Sequence, residues 1–249
     1  MTKFGRLKGD KPAPKSRLGK WWRKAQKNVF VAFFVDLLTI LGSALVLSLL
    51  VKTFLIRSFF IPSGSMESTL MVDDRIIVNE LVPDVIPLQR GDVVVFQDPG
   101  NWLGSPQPVQ RNPIEQVGDF FLSSFGLIAP DSQQHLVKRV IGVAGDHIVC
   151  TGPEAKLQIN GVTVTEPYVN KGARACGMAF DITVPAHSIW AMGDNRDNST
   201  DSRYHQDLPS KGFVDLKYVV GRAFVVSFPF SHWAWLDNYQ NVYKDIPKP

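Results

Sequence analysis

A serine-rich turn follows a long apolar segment near the start of the chain. Ile61-Pro62-Ser63-Gly64-Ser65-Met66 places two hydroxyl groups two residues apart, about ten residues after the apolar segment ends. A serine hydroxyl is a weak nucleophile unless a neighbouring base takes its proton. The turn therefore predicts nucleophilic catalysis only if another part of the chain supplies that base.

The best candidate for the base is a lysine. The chain has no Gly-x-Ser-x-Gly elbow and no Ser-x-x-Lys motif, and its five histidines are scattered without a motif around them. Lys138 stands among Val137, Val140 and Ile141, an apolar setting. To act near pH 7, a lysine must lower its pKa by about 3.4 units, or about 4.6 kcal/mol, which burial can supply. We therefore expect Ser65 and Lys138 to form a nucleophile and general base pair.

A third group of polar residues runs from Gly193 to Arg203. It packs turn-forming residues and charges into eleven positions, Gly-Asp-Asn-Arg-Asp-Asn-Ser-Thr-Asp-Ser-Arg. Each of the three groups has a bland alternative: an ordinary turn, a surface lysine on a strand, or a solvated charged loop. Their combination in one chain instead favours a single assembled site.

These groups need a scaffold, and the sequence after residue 52 predicts an antiparallel β domain, a sheet or a barrel-like structure. Short β-branched runs bounded by turn residues predict the strands. The Asn160-Gly161 pair between two such runs is the strongest hairpin signal. The predicted strands are Arg75–Asn79, Asp92–Phe96, Val137–Ile141, His147–Val149, Leu157–Asn160, Val162–Val164, Phe180–Val184, Ser188–Ala191 and Ala223–Ser227.

The apolar segment 29–51 is long enough to cross a bilayer. Its 23 residues carry one charge, Asp36, and would span roughly 34 Å as a helix. Residues 1–28, which we expect to be disordered, hold ten Lys or Arg against Asp10 alone, whereas the remainder has a net charge of −5. The positive-inside rule then places the N-terminus in the cytoplasm and residues 52–249 outside. A cleavable signal peptide is the competing interpretation, but the apolar segment is too long for one.

Other features limit the possible functions. The basic charge belongs to the N-terminal tail, so the sequence predicts no nucleic-acid partner. It also signals no metal site and no cofactor. Cys150 and Cys176 leave a disulfide and two buried thiols equally open. Residues 98–136, with an apolar cluster around Phe120-Phe121-Leu122, are predicted to be a long insertion or a lid.

Four sequence blocks, in order, resemble those of bacterial type I signal peptidases, also called leader peptidases. They are Ser63-Gly64-Ser65-Met66 with Thr69-Leu70, Arg90 to Phe96, Lys138 to Gly142 with Gly145-Asp146, and Gly193 to Arg203. The resemblance covers residues 29 to about 230. Ser68 and Ala144 depart from the family pattern, which usually has proline at both positions.

The resemblance implies a membrane-bound Ser/Lys endopeptidase that removes signal peptides from exported preproteins after small residues, Ala-x-Ala, through an acyl-enzyme. Ser65 would be the nucleophile and Lys138 the general base, with the Ser63 hydroxyl and the Ser65 backbone N–H forming the oxyanion hole. Ser199 would orient the lysine amine. The implied charged scaffold is Asp201, Arg203, Arg139 and Asp194, and the implied substrate pockets are lined by Phe59, Ile61, Pro62, Met66, Leu70 and Val137.

The expected location is the cell membrane, with a single pass and an extracytoplasmic catalytic domain. The expected partners are signal-peptide-bearing preproteins, membrane lipid and the protein translocation channel. We expect Phe54 to Ile61 to form an apolar patch that meets lipid, and a substrate strand to pair near Asp73–Glu80 or Val137. A membrane-tethered, non-enzymatic binding module is the alternative; it would leave Lys138 and the loop Gly193–Arg203 unexplained.

Overall fold

The computed structural model describes residues 29–104 and 135–249. Helix α1, Val29–Phe54, is followed by a β-rich region, and the helix as far as Leu50 and the region from Val51 to Pro249 are separate compact units. Residues Phe30–Leu49 are long and apolar enough to cross a membrane, and none of this stretch is buried within the structure. The helix continues past the predicted boundary at residue 51 because Lys52 and Thr53 are polar but do not end a helix.

The β region contains one large antiparallel sheet. Its strands are β1 (Ile56–Phe60), β2 (Arg75–Asn79), β3 (Val93–Gln97), β4 (His135–Val143), β9 (Ser188–Met192), β10 (Val214–Asp215), β11 (Val219–Phe228) and β12 (Ala234–Trp235). Neighbours follow the order β1-β2-β11-β3-β4-β9-β10, with β12 beside β11. The central strands β3 and β4 are buried on both faces; β3 is apolar up to its last residue, whereas β4 holds the buried Lys138 and Arg139 among its apolar residues.

A smaller antiparallel sheet consists of β5 (His147–Cys150), β6 (Gln158–Ile159), β7 (Val162–Thr163) and β8 (Phe180–Thr183), in the order β7-β6-β5-β8. Asn160 and Gly161 join β6 to β7 with φ of 50° and 80°. These are the left-handed values that a tight hairpin turn requires. Cys150 and Cys176 are joined by a disulfide, with their Cα atoms 6.2 Å apart.

Apolar residues of the large sheet pack against the serine turn. One apolar cluster contains Phe59, Ile61, Met66 and Leu70 from the turn and its flanks, together with Val93, Val95 and Val137 from β3 and β4. Burying one such side chain stabilises the fold by about 1.5–3 kcal/mol. The cluster therefore fixes the turn onto the strand that carries Lys138.

The structure confirms the predicted antiparallel β class and all nine predicted strands, within a few residues at their ends. Sequence reasoning missed β1, β10 and β12. Two of these are only two residues long, and β1, Ile-Arg-Ser-Phe-Phe, lacks the alternation of apolar and polar residues that predicts a strand.

Two expectations about surfaces were wrong. Phe54 to Ile61 is not one exposed patch, because β1 alternates: Phe59 and Ile61 are buried, whereas Phe60 is exposed. Asp73–Glu80 offers no open edge, because β2 lies between β1 and β11. The predicted tail 1–28 and most of the predicted insertion 98–136, including the Phe120 cluster, lie outside the described residues.

Candidate active site

The serine turn is a short 3-10 helix, Gly64–Met66, placed directly after the edge strand β1. Ile61 tethers its start, because its N–H donates to the Asp74 carbonyl at 2.9 Å and its carbonyl accepts from the Asp73 N–H at 3.0 Å. Ser65 and Met66 are buried, whereas Ser63 is exposed. The fold thus presents one serine to the interior and the other to solvent.

Lys138 reaches this serine from the middle of β4. Its Nζ donates to the Ser65 Oγ at 2.6 Å across 73 residues of sequence. Only 4% of Lys138 and 9% of Ser65 are exposed. The two predicted catalytic side chains therefore share one hydrogen bond in a place that bulk water hardly reaches.

Burial changes the protonation of the lysine. Loss of hydration disfavours the charged amine and lowers the pKa of Lys138 to about 8; the negative charges of Asp201 and Asp194 act in the opposite direction, and Arg203 adds to the decrease. Relative to its ordinary pKa of 10.5, the neutral fraction at pH 7 rises about 300-fold. A neutral amine can accept a proton, as a general base must.

The predicted charged scaffold forms two separate buried ion pairs. Arg139 binds both carboxylate oxygens of Asp194, at 2.8 and 2.7 Å, and Arg203 binds both of Asp201, at 2.8 Å each. Each carboxylate is thus largely neutralised by its own guanidinium. This pairing limits how far the two acids can raise the pKa of Lys138.

Gly193 allows the charged loop to approach the serine turn. A Cβ at this position would lie 2.3 Å from the Ser199 Oγ and 2.4 Å from the Ser65 carbonyl oxygen, too close for any side chain. The Ser199 hydroxyl is buried, makes no regular hydrogen bond among the described residues, and lies beside the Asp201 carboxylate, whose pKa it helps to lower. The structure thus places Ser199 against the turn without a hydrogen bond to the lysine.

Asn195 is a site residue that sequence reasoning missed. Its backbone N–H donates to the Ser65 carbonyl at 3.1 Å, and its side-chain amide donates to the Gly64 carbonyl and to a Glu67 carboxylate oxygen, both at 3.0 Å. Asn195 therefore holds the serine turn at three points. The sequence shows an asparagine in a polar loop but gives no signal of which distant carbonyls its amide will meet.

A small cavity opens beside Ser65. It has a volume of about 130 Å³ and is lined by Phe59, Phe60, Ile61, Pro62, Ser63, Ser65, Met66, Leu103, His135, Leu136, Val137 and Lys138. Five of the six predicted pocket residues are present, whereas Leu70 is fully buried beneath the turn and does not line the cavity. The Ser63 Oγ is 3.5 Å from the Ser65 Oγ at the same opening.

The departure at Ser68 has a local explanation. Ser68 adopts a φ of 87°, which the proline ring cannot reach, and its hydroxyl donates to the Tyr168 carbonyl at 2.7 Å. Serine is therefore compatible with this backbone where proline is not.

Within residues 29–104 and 135–249, no three His, Cys, Asp or Glu side chains cluster in a way that could hold a metal ion.

A family model and the similar curated proteins agree on the family to which this chain is similar. The family model described as "Signal peptidase, peptidase S26" matches residues 34–228. Signal peptidase I of Mycobacterium tuberculosis is 36% identical over 210 residues, covering 76% of this chain and 71% of that protein. Signal peptidase I of Bacillus licheniformis is 31% identical over 196 residues, covering 76% of this chain and 85% of that protein.

A crystal structure of a signal peptidase I from Enterococcus faecalis is also similar, with 25% identity and a TM-score of 0.34, covering 54% of this chain and 95% of that one. The family match includes the serine turn, Lys138 and the loop Gly193–Arg203. The chain therefore belongs to the signal peptidase family, peptidase S26, and is a peptidase that cleaves signal peptides.

Proposed function

We propose that the protein is a membrane-bound Ser/Lys endopeptidase that cuts preproteins after Ala-x-Ala through an acyl-enzyme. The observation that carries the proposal is the 2.6 Å hydrogen bond between the Lys138 Nζ and the Ser65 Oγ, with both groups buried. A lysine whose pKa is about 8 is poised to take the serine proton near neutral pH.

Acylation follows from this geometry. The Ser65 Oγ attacks the carbonyl carbon of the scissile bond while its proton moves to the neutral Lys138 Nζ. The negative oxygen of the tetrahedral intermediate is held by the Ser65 backbone N–H and the Ser63 hydroxyl. The Lys138 ammonium then gives its proton to the leaving nitrogen as the C–N bond breaks, and the nearby Asp194 and Asp201 carboxylates stabilise the ammonium meanwhile.

Deacylation repeats the same proton path with water. Lys138, now neutral, takes a proton from a water molecule that attacks the acyl carbon, and the Ser65 Oγ leaves with the proton returned by the lysine. The acyl-enzyme splits one difficult step into two easier ones. Asp194 and Asp201 act on the lysine through their charge, and Ser199 packs against the serine turn; none of the three exchanges protons in this sequence.

The cavity explains the preference for small residues. Its volume of about 130 Å³ and its walls of Phe59, Ile61, Met66 and Val137 suit a small apolar side chain and exclude bulk. An extended substrate can also pair with β4, because among the described residues β9 pairs with β4 only from Arg139 onward. Val137 thus retains an open side next to the catalytic pair.

The substrate arrives from a membrane, and two features fit that setting. The basic residues before helix α1 favour a cytoplasmic N-terminus and an extracytoplasmic peptidase. Phe228, Phe230, Trp233 and Trp235 form an exposed aromatic surface, and such residues favour the interface between lipid and water. We propose lipid as the partner of this aromatic surface, in place of the predicted patch Phe54 to Ile61.

The test is cleavage by the full chain in detergent micelles. A preprotein whose signal ends in Ala-x-Ala should be cut once, after the second Ala, and an acylating probe should add its acyl mass to Ser65. The rate should rise with pH through an inflection near 8, because the reactive form of Lys138 is the neutral one. An inflection near 6.5 that disappears on substitution of one histidine would contradict the lysine base. Absence of both cleavage and labelling would favour a non-enzymatic binding module.

A further inference from the structure

One wall of the cavity comes from a part of the chain that carries no catalytic residue. The other lining residues belong to the segment Phe59–Met66 or to the start of β4, whereas Leu103 comes from a loop after β3. Leu103 is 49% exposed and therefore presents much of its side chain to the cavity and to solvent. It belongs to none of the sequence blocks around Ser65, Lys138 or Gly193.

The loop holds Leu103 by a compact set of hydrogen bonds. One Asp98 carboxylate oxygen accepts from the N–H of Gly100 at 3.0 Å and of Trp102 at 2.8 Å, and the other accepts from the N–H of Leu103 at 3.0 Å. Burial alone would raise the pKa of Asp98, but these backbone donors lower it. The carboxylate is therefore charged at neutral pH and fixes the backbone of Leu103.

Trp102 anchors the same loop to the core. Its ring packs edge-on against Phe96 of β3, with centroids 5.8 Å apart, and stacks on His205 at 4.3 Å. Trp102 also belongs to the apolar cluster that contains Leu136 of β4. Leu103 thus stands in a fixed loop, with its backbone held by Asp98 and its preceding residue buried.

The place of Leu103 along the substrate follows from strand geometry. Leu136 belongs to the same apolar cluster as Trp102. It lies two residues before Lys138 on β4, which is about 7 Å along the strand. In an extended substrate, the third residue before the cut lies the same distance from the first, which sits at Ser65 and Lys138. We propose that Leu103 limits the size of the third residue before the cut, an inference that rests on the proposed cleavage after Ala-x-Ala.

The test compares substrate preferences of full-length variants in detergent micelles. One peptide series varies the third residue before the cut as Ala, Val or Leu, and a second series varies the first residue in the same way. Leu103→Ala should raise kcat/KM for Leu at the third position, relative to Ala, by about 10-fold. Leu103→Phe should lower the value for Val there. Preferences at the first position should stay within about 2-fold of the parent in both variants.

Two further variants complete the design. Asp98→Asn should shift the preference in the same direction as Leu103→Ala, because an amide oxygen cannot replace both carboxylate acceptors. Val85→Ala, at an exposed residue outside the cavity, should change nothing. Ratios within one variant do not depend on how much protein is folded.

The outcomes separate the two proposals. If the parent chain fails to cut the Ala-x-Ala reference peptide, the proposed function and this inference both fall. Cleavage by the parent, with unchanged preferences in Leu103→Ala and Leu103→Phe, overturns the role of Leu103 alone. A shift confined to the first position overturns its assignment to the third.

Discussion

Lys138 and Arg139 are neighbours on β4 and both are buried, yet the pKa of Lys138 is lowered and that of Arg139 is raised. Lys138 donates its hydrogen bond to a neutral hydroxyl, Ser65, and burial lowers its pKa to about 8. Burial alone would also lower the pKa of Arg139, but the charge and hydrogen bonds of Asp194 raise it above its ordinary value. Burial therefore lowers the pKa of a cation where no carboxylate binds that cation directly, as at Lys138, and not where one does, as at Arg139.

Lys138 and Arg139 also differ in the groups that surround them. Arg139 donates to the backbone carbonyls of Gly91 and Asp237, at 2.7 and 3.1 Å, and lies against the rings of Tyr168 and Tyr239, at 4.2 and 5.3 Å. A guanidinium with every donor occupied is structural. Lys138, which donates to the neutral hydroxyl of Ser65, is the cation of this pair that can lose its proton near neutral pH.

The largest expected effect is on catalysis. Ser65→Ala and Lys138→Ala should each reduce cleavage by at least about 1,000-fold, because each removes one member of the proposed nucleophile and base pair. Lys138→Arg should fail as well, since a guanidinium does not deprotonate at working pH. Single-turnover cleavage measures this, with circular dichroism as the control for folding. A Lys138→Arg variant with near-parental turnover would contradict the distinction between the two cations.

Breaking the buried ion pair between Arg139 and Asp194 should lower the free energy of unfolding. Arg139→Met or Asp194→Leu alone leaves one buried charge without its partner, which we expect to cost about 3–5 kcal/mol in the free energy of unfolding. The double variant should recover much of that loss, because it removes both charges. Urea unfolding of the four proteins measures the coupling between the sites. Simple additivity of the two losses would show that the pair does not act as a unit.

Removing the buried Lys138 should stabilise the protein. At pH 7 Lys138→Met should gain about 3 kcal/mol, because the unfolded pKa is near 10.5 and the folded pKa about 8, so protonation opposes folding. The unfolded chain binds more protons between these values. The gain should therefore shrink as pH rises from 8 to 10.5 and stay constant below 8. Thermal unfolding across this range measures it; a gain that does not vary with pH would point to packing instead.

The smallest effect should come from the aromatic contacts of the structural cation. Tyr239→Leu removes one ring beside Arg139, for which we expect a loss of about 1 kcal/mol or less in the free energy of unfolding. The inflection of the rate near pH 8 should not move, because Arg139 keeps Asp194. A shift of that inflection would mean that the surroundings of Arg139 influence the pKa of Lys138.

Sequence reasoning succeeded where local pattern carries the information. The β strands, the hairpin at Asn160-Gly161 and the apolar span follow from periodicity and turn chemistry. The catalytic roles of Ser65 and Lys138 stay predictions. It failed for the edge strand β1, because the sequence Ile-Arg-Ser-Phe-Phe does not alternate between apolar and polar residues. It also failed for the surface of Phe54 to Ile61, because alternate residues of a strand face opposite ways.

Contacts between distant segments needed the tertiary structure. Leu70 resembles a pocket residue by its position after the serine turn, yet it packs beneath the turn and away from the cavity. Asn195 and Leu103 carry no chemical signal of their own. Their roles depend on which carbonyl, carboxylate or cavity lies within reach after folding.

The sequence by itself determined which groups were available: one serine turn, one lysine in an apolar strand, and a loop rich in Asp and Arg. The tertiary structure decided how their charges are shared. It pairs Asp194 with Arg139 and Asp201 with Arg203, and directs Lys138 to Ser65. The physical reason is that hydration loss and Coulomb interaction depend on distances of a few ångströms between residues far apart in the chain, which no local pattern encodes.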